Sequence, residues 1–453
     1  MKEKRFLDIL NNKNVDYKKE VIAGITTFLT MAYIIAVNPS ILGQTGMDQG
    51  ALVTATCLGA AFATILMGVY ANLPFALASG MGLNAYFAFS VVIGKGISWE
   101  VALTAVFVEG IIFILMSLFR VRQAVVNAIP MNMKFAVTAG IGLFIAFIGL
   151  TGSGIVVSNP DTFLALGEFR NPTVIIAAIG VIVIAVLDKK QVKASILIGI
   201  LVSTLIAWGY ALFDPEYANA LGIFLPNGIV KFESIAPIAG KLDFEYMLHP
   251  ETIWSFIAIV CTFLFVDFFD TIGTLVGVSS RAGMLDENGN IPNAGKALMA
   301  DAVGTTVGAC MGVSTVTTFV ESSTGVLAGG RTGWTSVTTG LLFLVAMFFS
   351  PIFVAIPGCA TAPALIYVGY LMLGAVKNID FNEITEGFPA FITIAAMPLT
   401  YSIGDGLTLG VLSYVIINIL YNIFFVKNKE EKKNISVVMI VLALIFLFKL
   451  YFL

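Results

Sequence analysis

The sequence predicts an all-α polytopic membrane protein, and three observations lead to that fold class. Hydrophobic residues make up 58% of the 453-residue chain, whereas charged residues make up only 12%. A soluble domain needs a more polar surface than this composition supplies. Apolar runs of about 20 residues, the length that a helix needs to cross a bilayer, recur along the chain. Most charged residues lie between these runs, so the lipid bilayer is the expected environment.

Fourteen apolar runs are predicted to be transmembrane segments, in two sets of seven on either side of a polar extracellular loop at 214–250. The first set comprises 21–37, 50–70, 74–93, 98–119, 131–150, 172–187 and 194–213. The second set comprises 253–278, 297–313, 314–330, 333–350, 358–376, 388–401 and 406–426. A further apolar segment at 435–453 fits either a fifteenth span or a helix on the membrane surface.

The distribution of Lys and Arg predicts the orientation, because these residues are enriched in cytoplasmic loops. When the polar N-terminal segment 1–20 is placed in the cytoplasm, most cationic loops fall on the same side, with Lys95, Lys231 and Lys241 as the main exceptions. Segment 1–20 has no short apolar run followed by a cleavage site, so no removable signal peptide is expected. We therefore predict a multi-pass protein of the cell membrane with a cytoplasmic N-terminus.

Two features indicate an internal repeat. Residues 54–69 resemble 299–313, and 194–203 resemble 405–414, although Gly/Ala-rich packing faces would give a similar likeness. The third span of each half also contains glycines and a β-branched or proline-led start, which predicts an extended piece joined to a short helix. Seven spans per half would make such a repeat inverted, and broken spans at matching positions predict a binding site near the midplane.

Five acidic residues lie within the predicted spans, where charge is costly and usually functional. They are Glu109, Asp267, Asp270, Asp301 and Glu321. Lys, Arg and His accompany them only near the span ends, so we expect some of these acids to bind protons during a transport cycle. Each acid could instead tie helices together, and for Asp267 the two interpretations are equally good.

The neighbours of the acids suggest a polar cavity. Asp267 and Asp270 are three residues apart and share a helical face. Glu321 lies at the break of its span, where it could instead cap a helix. Asn84 lies at the other break and offers both a donor and an acceptor, or a helix cap. The Phe268 ring could stack on a planar ligand, although packing is the commoner use of such a ring.

Other function classes are disfavoured. No basic run interleaved with aromatic residues is present, so no nucleic-acid partner is expected. The four cysteines lie in apolar segments without C-x-x-C spacing, which predicts neither disulfides nor a zinc site. The motifs HExxH and GxSxG are absent, and Asp267 and Asp270 share one helix, whereas the paired aspartates of a protease face each other from two elements. No cofactor is expected beyond a proton as coupling ion, and no enzymatic activity is predicted.

The motifs GMGLNAYFAF, VDFFDTIGT and ESSTGVLAGGRTG together resemble the nucleobase–cation symporter-2 superfamily, in its hypoxanthine/adenine/guanine permease branch. The resemblance implies fourteen spans in two inverted repeats, with short antiparallel strands in spans three and ten. It implies a core domain (21–119 and 251–350) and a gate domain (131–213 and 358–426). It further implies uptake of purine nucleobases, for which the span acids predict proton coupling. All five acids fall in core spans and the gate spans carry none in their interiors, which predicts an elevator-like movement of the core past the gate. The sequence leaves open whether the working form is a homodimer.

Carried over by motif, the resemblance makes Asp270, Glu321 and Asn84 substrate-binding residues. In the uracil and xanthine branches the tenth-span residue stands three positions before a Gly, which is the position of Ser322 here, so Ser322 is a further candidate beside Phe268. Proton coupling would fall to Asp270 with the other span acids: Asp267, Asp301 and Glu109. The alternative is a transporter of another small solute or an anion on the same fold, and the acids at the site disfavour an anion.

Overall fold

The computed structural model describes residues 15–118, 129–281, 284, 293–425 and 432–452. Most of the predicted N-terminal segment, up to residue 14, lies outside the described residues, as does the last residue of 435–453. Within the described ranges the protein is mainly helical, with two sheets of two strands each.

The first half contains eight α-helices and three of the four strands. The helices are α1 (Tyr17–Met31), α2 (Ile34–Leu42), α3 (Gln49–Leu66), α4 (Met81–Ala85), α5 (Trp99–Leu118), α6 (Met131–Gly152), α7 (Pro172–Lys189) and α8 (Ser195–Phe213). The strands are β1 (Leu77–Ser79), β2 (Val156–Asn159) and β3 (Phe163–Leu166). The hairpin β2–β3 follows α6 and was not predicted, because its two strands are only four residues long.

The connecting loop and the second half supply the remaining elements. The loop contains the short helices α9 (Pro215–Ala220) and α10 (Glu245–Leu248). The second half comprises α11 (Ile253–Arg281), α12 (Ala294–Met311), β4 (Val316–Thr318), α13 (Ser322–Leu327), α14 (Gly333–Ala346), α15 (Ser350–Val354), α16 (Gly358–Leu373), α17 (Ile384–Leu399), α18 (Ile403–Phe424) and α19 (Val437–Phe452).

Eight helical segments among the described residues are long and apolar enough to cross a membrane. These segments are Tyr17–Thr45, Gln49–Ala71, Trp99–Leu118, Met131–Gly152, Pro172–Lys189, Ser195–Phe213, Gly358–Asn378 and Ile403–Phe424. Each coincides with a predicted span. Several of the other predicted spans form shorter apolar helices. The third span of each half is interrupted by a strand. A total of fourteen crossings therefore stays a prediction.

The interrupted third spans are confirmed: each contains a strand followed by a short helix. Strand β1 leads into α4, and β4 leads into α13. The two strands pair antiparallel, with Ala78 opposite Thr317 at the centre. Residues 239 positions apart in the chain are thus joined through their backbones inside the protein.

Threonine hydroxyls occupy the outer edges of this two-stranded sheet. On one edge, Thr64 of α3 donates to the Leu77 carbonyl and accepts from the Leu77 N–H, both at 2.9 Å. On the other edge, Thr305 of α12 donates to the Val316 carbonyl at 2.9 Å and accepts from its N–H at 3.3 Å. A buried backbone group without a partner is costly, especially away from water. The two hydroxyls therefore take the place of neighbouring strands and stabilise an extended backbone.

The helices pack in two sets. The first, here called the central set, contains the β1–β4 sheet and the helices of 17–118 and 253–346: α1 and α3 pack on α14, and α5 packs on α12. The second, here called the flanking set, contains the helices of 131–213 and 358–424, in which α6 packs on α16 and α17. Helix α4 of the central set contacts α6 of the flanking set, so the two sets meet close to the sheet.

Helix α19 lies in the segment that was predicted as either a fifteenth span or a surface helix. It packs on α11 and α18 through a buried side that includes Met439 and Phe446, while Leu444 on its other side is 61% exposed. The Phe446 ring contacts Phe265 of α11 at a centroid distance of 6.5 Å.

Candidate functional site

The candidate site lies where β1 and β4 end and the short helices α4 and α13 begin. Two of the predicted carboxylates reach this place from different elements: Asp270 from α11 and Glu321 from the residue before α13. Both are partly exposed, whereas Glu109, Asp267 and Asp301 are fully buried. The two accessible acids are therefore the ones that can meet a ligand.

Glu321 is held by a tyrosine that sequence reasoning missed. The Tyr33 hydroxyl donates to Glu321 Oε1 at 2.6 Å, and the Tyr33 side chain has no exposed surface. Tyr33 stands between the end of α1 and the start of α2, where the helix is interrupted. Nothing in the local pattern distinguishes it from the other aromatic residues of apolar spans, because its partner is 288 residues away in the chain.

Asp270 lies against the turn from β1 into α4. Its Oδ2 atom is 3.7 Å from the position that a Cβ atom would take on Gly80, and that Cβ would also lie 2.6 Å from Thr317 Cγ2. Glycine at position 80 therefore permits the close approach of β4 to this turn. The Asp270 carboxylate interacts with the Thr317 hydroxyl and with the charges of Asp301 and Glu321.

A chain of hydroxyl groups leads from this point to the buried acids. Thr271 Oγ1 lies 2.9 Å from Thr317 Oγ1, 3.2 Å from Asp267 Oδ1 and 3.1 Å from Asp301 Oδ2. A hydroxyl carries one proton and can donate to only one acceptor at a time. Thr271 lies within hydrogen-bond distance of two carboxylates and can therefore donate to only one of them at a time.

Glu109 lies on α5 and contacts the segment that leads into β4. Thr315, one residue before β4, donates to Glu109 Oε2 at 2.9 Å, and both side chains are fully buried. The structure thus brings all five span acids to the central set.

Asn84 is fixed by two serines. Its Oδ1 accepts from Ser79 at 2.6 Å and from Ser314 in a shorter bond, and the residue is fully buried. Its Nδ2 group has no hydrogen-bond partner among the described residues. A buried amide donor without a partner is unfavourable, so a water molecule, or a ligand that reaches this buried position, would be bound here.

Ser322 and Phe268 have partners of other kinds. Ser322 Oγ accepts from the Ala76 N–H at 2.9 Å, which ties the start of α13 to the segment before β1. Phe268 stacks on Phe113 of α5 at a centroid distance of 6.3 Å. Two positions along a helix correspond to a rotation of about 200°, so Phe268 points away from Asp270. Both side chains are fully buried, and substrate contact by either residue stays a prediction that this geometry does not favour.

Comparison with known proteins places the chain in a family. A family model described as "Permease family" matches residues 18–409. The chain is 44% identical over 412 residues to the guanine/hypoxanthine permease PbuG of Bacillus subtilis, and the aligned region covers 88% of this chain and 90% of that protein. It is 41% identical over 436 residues to the adenine permease AdeP of Escherichia coli, with 96% and 93% covered.

A solved structure shows the same fold at low sequence identity. The transmembrane domain of the cyanobacterial bicarbonate transporter BicA matches with a TM-score of 0.66 at 15% identity, over 85% of this chain and 96% of that chain. At this identity the likeness concerns the fold alone. From the family match and the two permease relatives, the chain belongs to the nucleobase–cation symporter-2 family of multi-pass membrane permeases, and it is a transporter rather than an enzyme.

Proposed function

We propose that this protein carries purine nucleobases together with protons across the cell membrane. The observation that carries the proposal is the pair of partly exposed carboxylates, Asp270 and Glu321, beside the paired strands. The relatives described above are permeases of adenine and of guanine and hypoxanthine, which supports a purine as the substrate.

The polar groups of the site complement the edges of a purine. Purines present ring N–H donors and nitrogen or oxygen acceptors around a planar ring. Asp270 and Glu321 supply acceptors, and the Asn84 Nδ2 group supplies a donor without a described partner. A few convergent polar groups in an otherwise apolar site are typical of small-molecule sites. An anionic substrate would instead require positive charge where these carboxylates lie.

The hydroxyl chain supports proton coupling. A proton bound at Asp270 would have a path through Thr317 and Thr271 to Asp267 or Asp301. Buried carboxylates that act on one another titrate as a group, so proton binding at one changes the proton affinity of the next. In this proposal Asp270 exchanges the coupling proton, Asp267 and Asp301 share it, and Glu109 responds through Thr315.

The division into two packing sets supports alternating access. All five acids lie in the central set, which corresponds to the predicted core, and the flanking set corresponds to the predicted gate. Acids do occur at the ends of the flanking helices: α17 and α18 begin earlier than predicted and include Glu386 and Asp405 in their first turns, and α7 ends later than predicted and includes Asp188. All three stand at helix ends, and none lies in the interior of a flanking helix, where a buried charge would oppose sliding most strongly.

The matched strands and edge threonines support an inverted repeat of seven segments. Strand β1 with Thr64 and strand β4 with Thr305 have the same arrangement, and antiparallel pairing relates the two halves. Fourteen crossings, a cytoplasmic N-terminus and a homodimer belong to the same proposal.

Uptake by purified protein in vesicles tests the function. We expect uptake of labelled hypoxanthine, guanine or adenine that rises with an inward proton gradient and collapses with a protonophore. Competition by unlabelled purines, xanthine and uracil would rank the substrates. Absence of purine uptake above that of empty vesicles at every gradient would refute the proposal.

Two variants test the division of labour at the site. Asp270→Asn should retain part of the base binding and lose accumulation driven by the gradient, because an amide cannot exchange the proton. Glu321→Gln should weaken binding itself, because one acceptor of the base becomes a donor. Asp161→Asn and Glu216→Gln change exposed acids outside the site and are matched controls. Equal losses of binding in the two site variants would contradict separate roles.

A further inference from the structure

One face of α1 contacts α13 at three successive positions. A Cβ atom on Gly325 would clash with Thr27 Oγ1 and would lie 2.8 Å from the Ala23 carbonyl. One turn further along α1, Thr30 and Thr324 share a hydrogen bond of 2.9 Å between their hydroxyls. Helix α1 therefore fixes the position of α13, the short helix that follows Glu321.

Tyr33 lies two residues beyond the end of α1, and Ala32 and Tyr33 keep right-handed helical backbone angles, so Tyr33 follows the same face. Thr27, Thr30 and Tyr33 are spaced by three residues, which keeps them on one side of a helix. The first two contact residues of α13, whereas Tyr33 reaches past the start of α13 to the carboxylate of Glu321. Its hydrogen bond thus follows directly on the contacts by which α1 holds α13.

The bond from Tyr33 determines which part of Glu321 is free. A carboxylate has two oxygens and about four acceptor sites. The Tyr33 hydroxyl occupies one of these sites on Oε1, at 2.6 Å, a distance typical of a strong bond between a hydroxyl and a carboxylate. The bond leaves the Oε2 atom of this partly exposed carboxylate for other donors.

We infer that Tyr33 is a positioning residue for purine recognition: by donating to Glu321 Oε1 it orients Oε2 as the acceptor of an N–H group of the base. The inference rests on the proposed function, because it assumes that Glu321 binds the base. Tyr33 itself needs no contact with the substrate. The first predicted span, 21–37, thereby contributes to substrate specificity, although none of the predicted ligand-contacting residues lies in it.

The substitution Tyr33→Phe tests how much the Tyr33 hydroxyl contributes to binding of the base. Phe at position 33 retains the ring and loses only the hydroxyl, so Glu321 would lose a charge-assisted hydrogen bond and could rotate. Charge-assisted hydrogen bonds are stronger than neutral ones, and loss of the orientation should raise the Kd of the base by about tenfold. The maximal transport rate at saturating base should change by less than the Kd does, because the Asp270 carboxylate and its contact with Thr317 are retained.

The test compares equilibrium binding and uptake in four purified variants. We measure the Kd of the labelled purine that the wild type takes up, the Km and the maximal rate. The variants are Tyr33→Phe, Glu321→Gln, the double variant and Tyr370→Phe. Tyr370 is 65% exposed on α16, so its variant is a matched control that removes a hydroxyl far from the site and should leave the Kd unchanged.

The double variant separates positioning from packing. The amide introduced by Glu321→Gln accepts a weaker hydrogen bond than a carboxylate does, so Tyr33→Phe should change the Kd by less than about threefold in that background. The same fold-change in both backgrounds would overturn the inference, because Tyr33 would then act independently of Glu321. An unchanged Kd in Tyr33→Phe alone would also overturn it.

A second substitution keeps the inference testable if the Tyr33→Phe variant does not fold. Incorporation of 3-fluorotyrosine at position 33 keeps the hydroxyl and makes it a stronger donor, so the base should bind at least as tightly as in the wild type and with a displaced pH profile. Binding that is as weak as in Tyr33→Phe would overturn the inference. The wild-type protein reports separately on the proposed function: if it binds no purine, the function fails, whereas a normal wild type beside a normal Tyr33→Phe variant refutes only the role of Tyr33.

Discussion

A disulfide between the two packing sets should lock the transporter, and the structure provides the pair of positions. A Cβ atom built on Gly82 of α4 lies 4.0 Å from Cβ of Ile141 on α6. Disulfides have Cβ–Cβ distances of about 3.5–4.5 Å, so cysteines at both positions can be joined without moving either helix. The same Cβ lies 2.6 Å from Ile141 Cγ2, and replacing Ile141 with Cys removes this conflict.

The geometry of the bond sets the movement that it tolerates. A disulfide holds two Cα atoms within about 6.8 Å, from a usual separation of about 5.5 Å. A slide of one helical turn, about 5.4 Å, at right angles to that separation would stretch it to about 7.7 Å. The crosslink therefore forbids a displacement of even one turn between α4 and α6.

The assay uses the double variant Gly82→Cys/Ile141→Cys in a protein whose four native cysteines have been replaced. After oxidation we expect purine uptake in vesicles to fall below about a tenth of the value measured after reduction, since alternating access requires the two sets to move. Purine binding should remain measurable from the side that is open in this state. The two single-cysteine variants, treated with the same oxidant, control for damage by the reagent.

The result that would refute the reasoning is full uptake by protein in which mass spectrometry shows the disulfide to be formed. The core and gate would then not slide at this contact, and substrate access would need another movement. Loss of uptake that persists after reduction would instead show that the substitutions themselves disturb α4.

Two further predictions concern the support of the site. Gly325→Ala should lower the free energy of unfolding by about 1–3 kcal/mol and weaken purine binding, because its Cβ would force α13 away from Thr27. The control is Gly209→Ala, where a Cβ meets no described atom within 4 Å. This variant should melt at or above the wild-type temperature. Equal melting temperatures for the two variants would contradict the packing of α1 on α13. Thr64→Val should lower the free energy of unfolding by about 1–3 kcal/mol, because the N–H and carbonyl of Leu77 both lose a partner. Thr64→Ser keeps the hydroxyl and should lower it by less. Equal melting temperatures for the Val and Ser variants would contradict the bridging role of the Thr64 hydroxyl.

The sequence by itself determined the membrane environment, most of the helical segments and the two interrupted spans. These features depend on local composition: a run of apolar residues can only be accommodated in lipid or in a core, and glycines beside a β-branched run disfavour a continuous helix. The same reasoning found the five acids of the central set that lie within predicted spans, because a carboxylate in an apolar run is conspicuous wherever the chain later takes it. It missed Glu20, which was assigned to the polar N-terminal segment but is buried on α1, where it accepts from the Arg331 N–H and the Thr335 hydroxyl. The motifs around Asn84, Asp270 and Glu321 were sufficient to identify the family.

The tertiary structure alone decided which acids face the accessible side and which residues hold them. Asp267 and Asp270 have the same local pattern, yet one is buried beside Thr271 and the other is partly exposed, because α11 presents them to different neighbours. Tyr33 could not be distinguished in the sequence from any other aromatic residue. Its role arises from a hydrogen bond to Glu321 across 288 residues. Side-chain partners of this kind are set by the way distant segments pack, and neither composition nor periodicity carries that information.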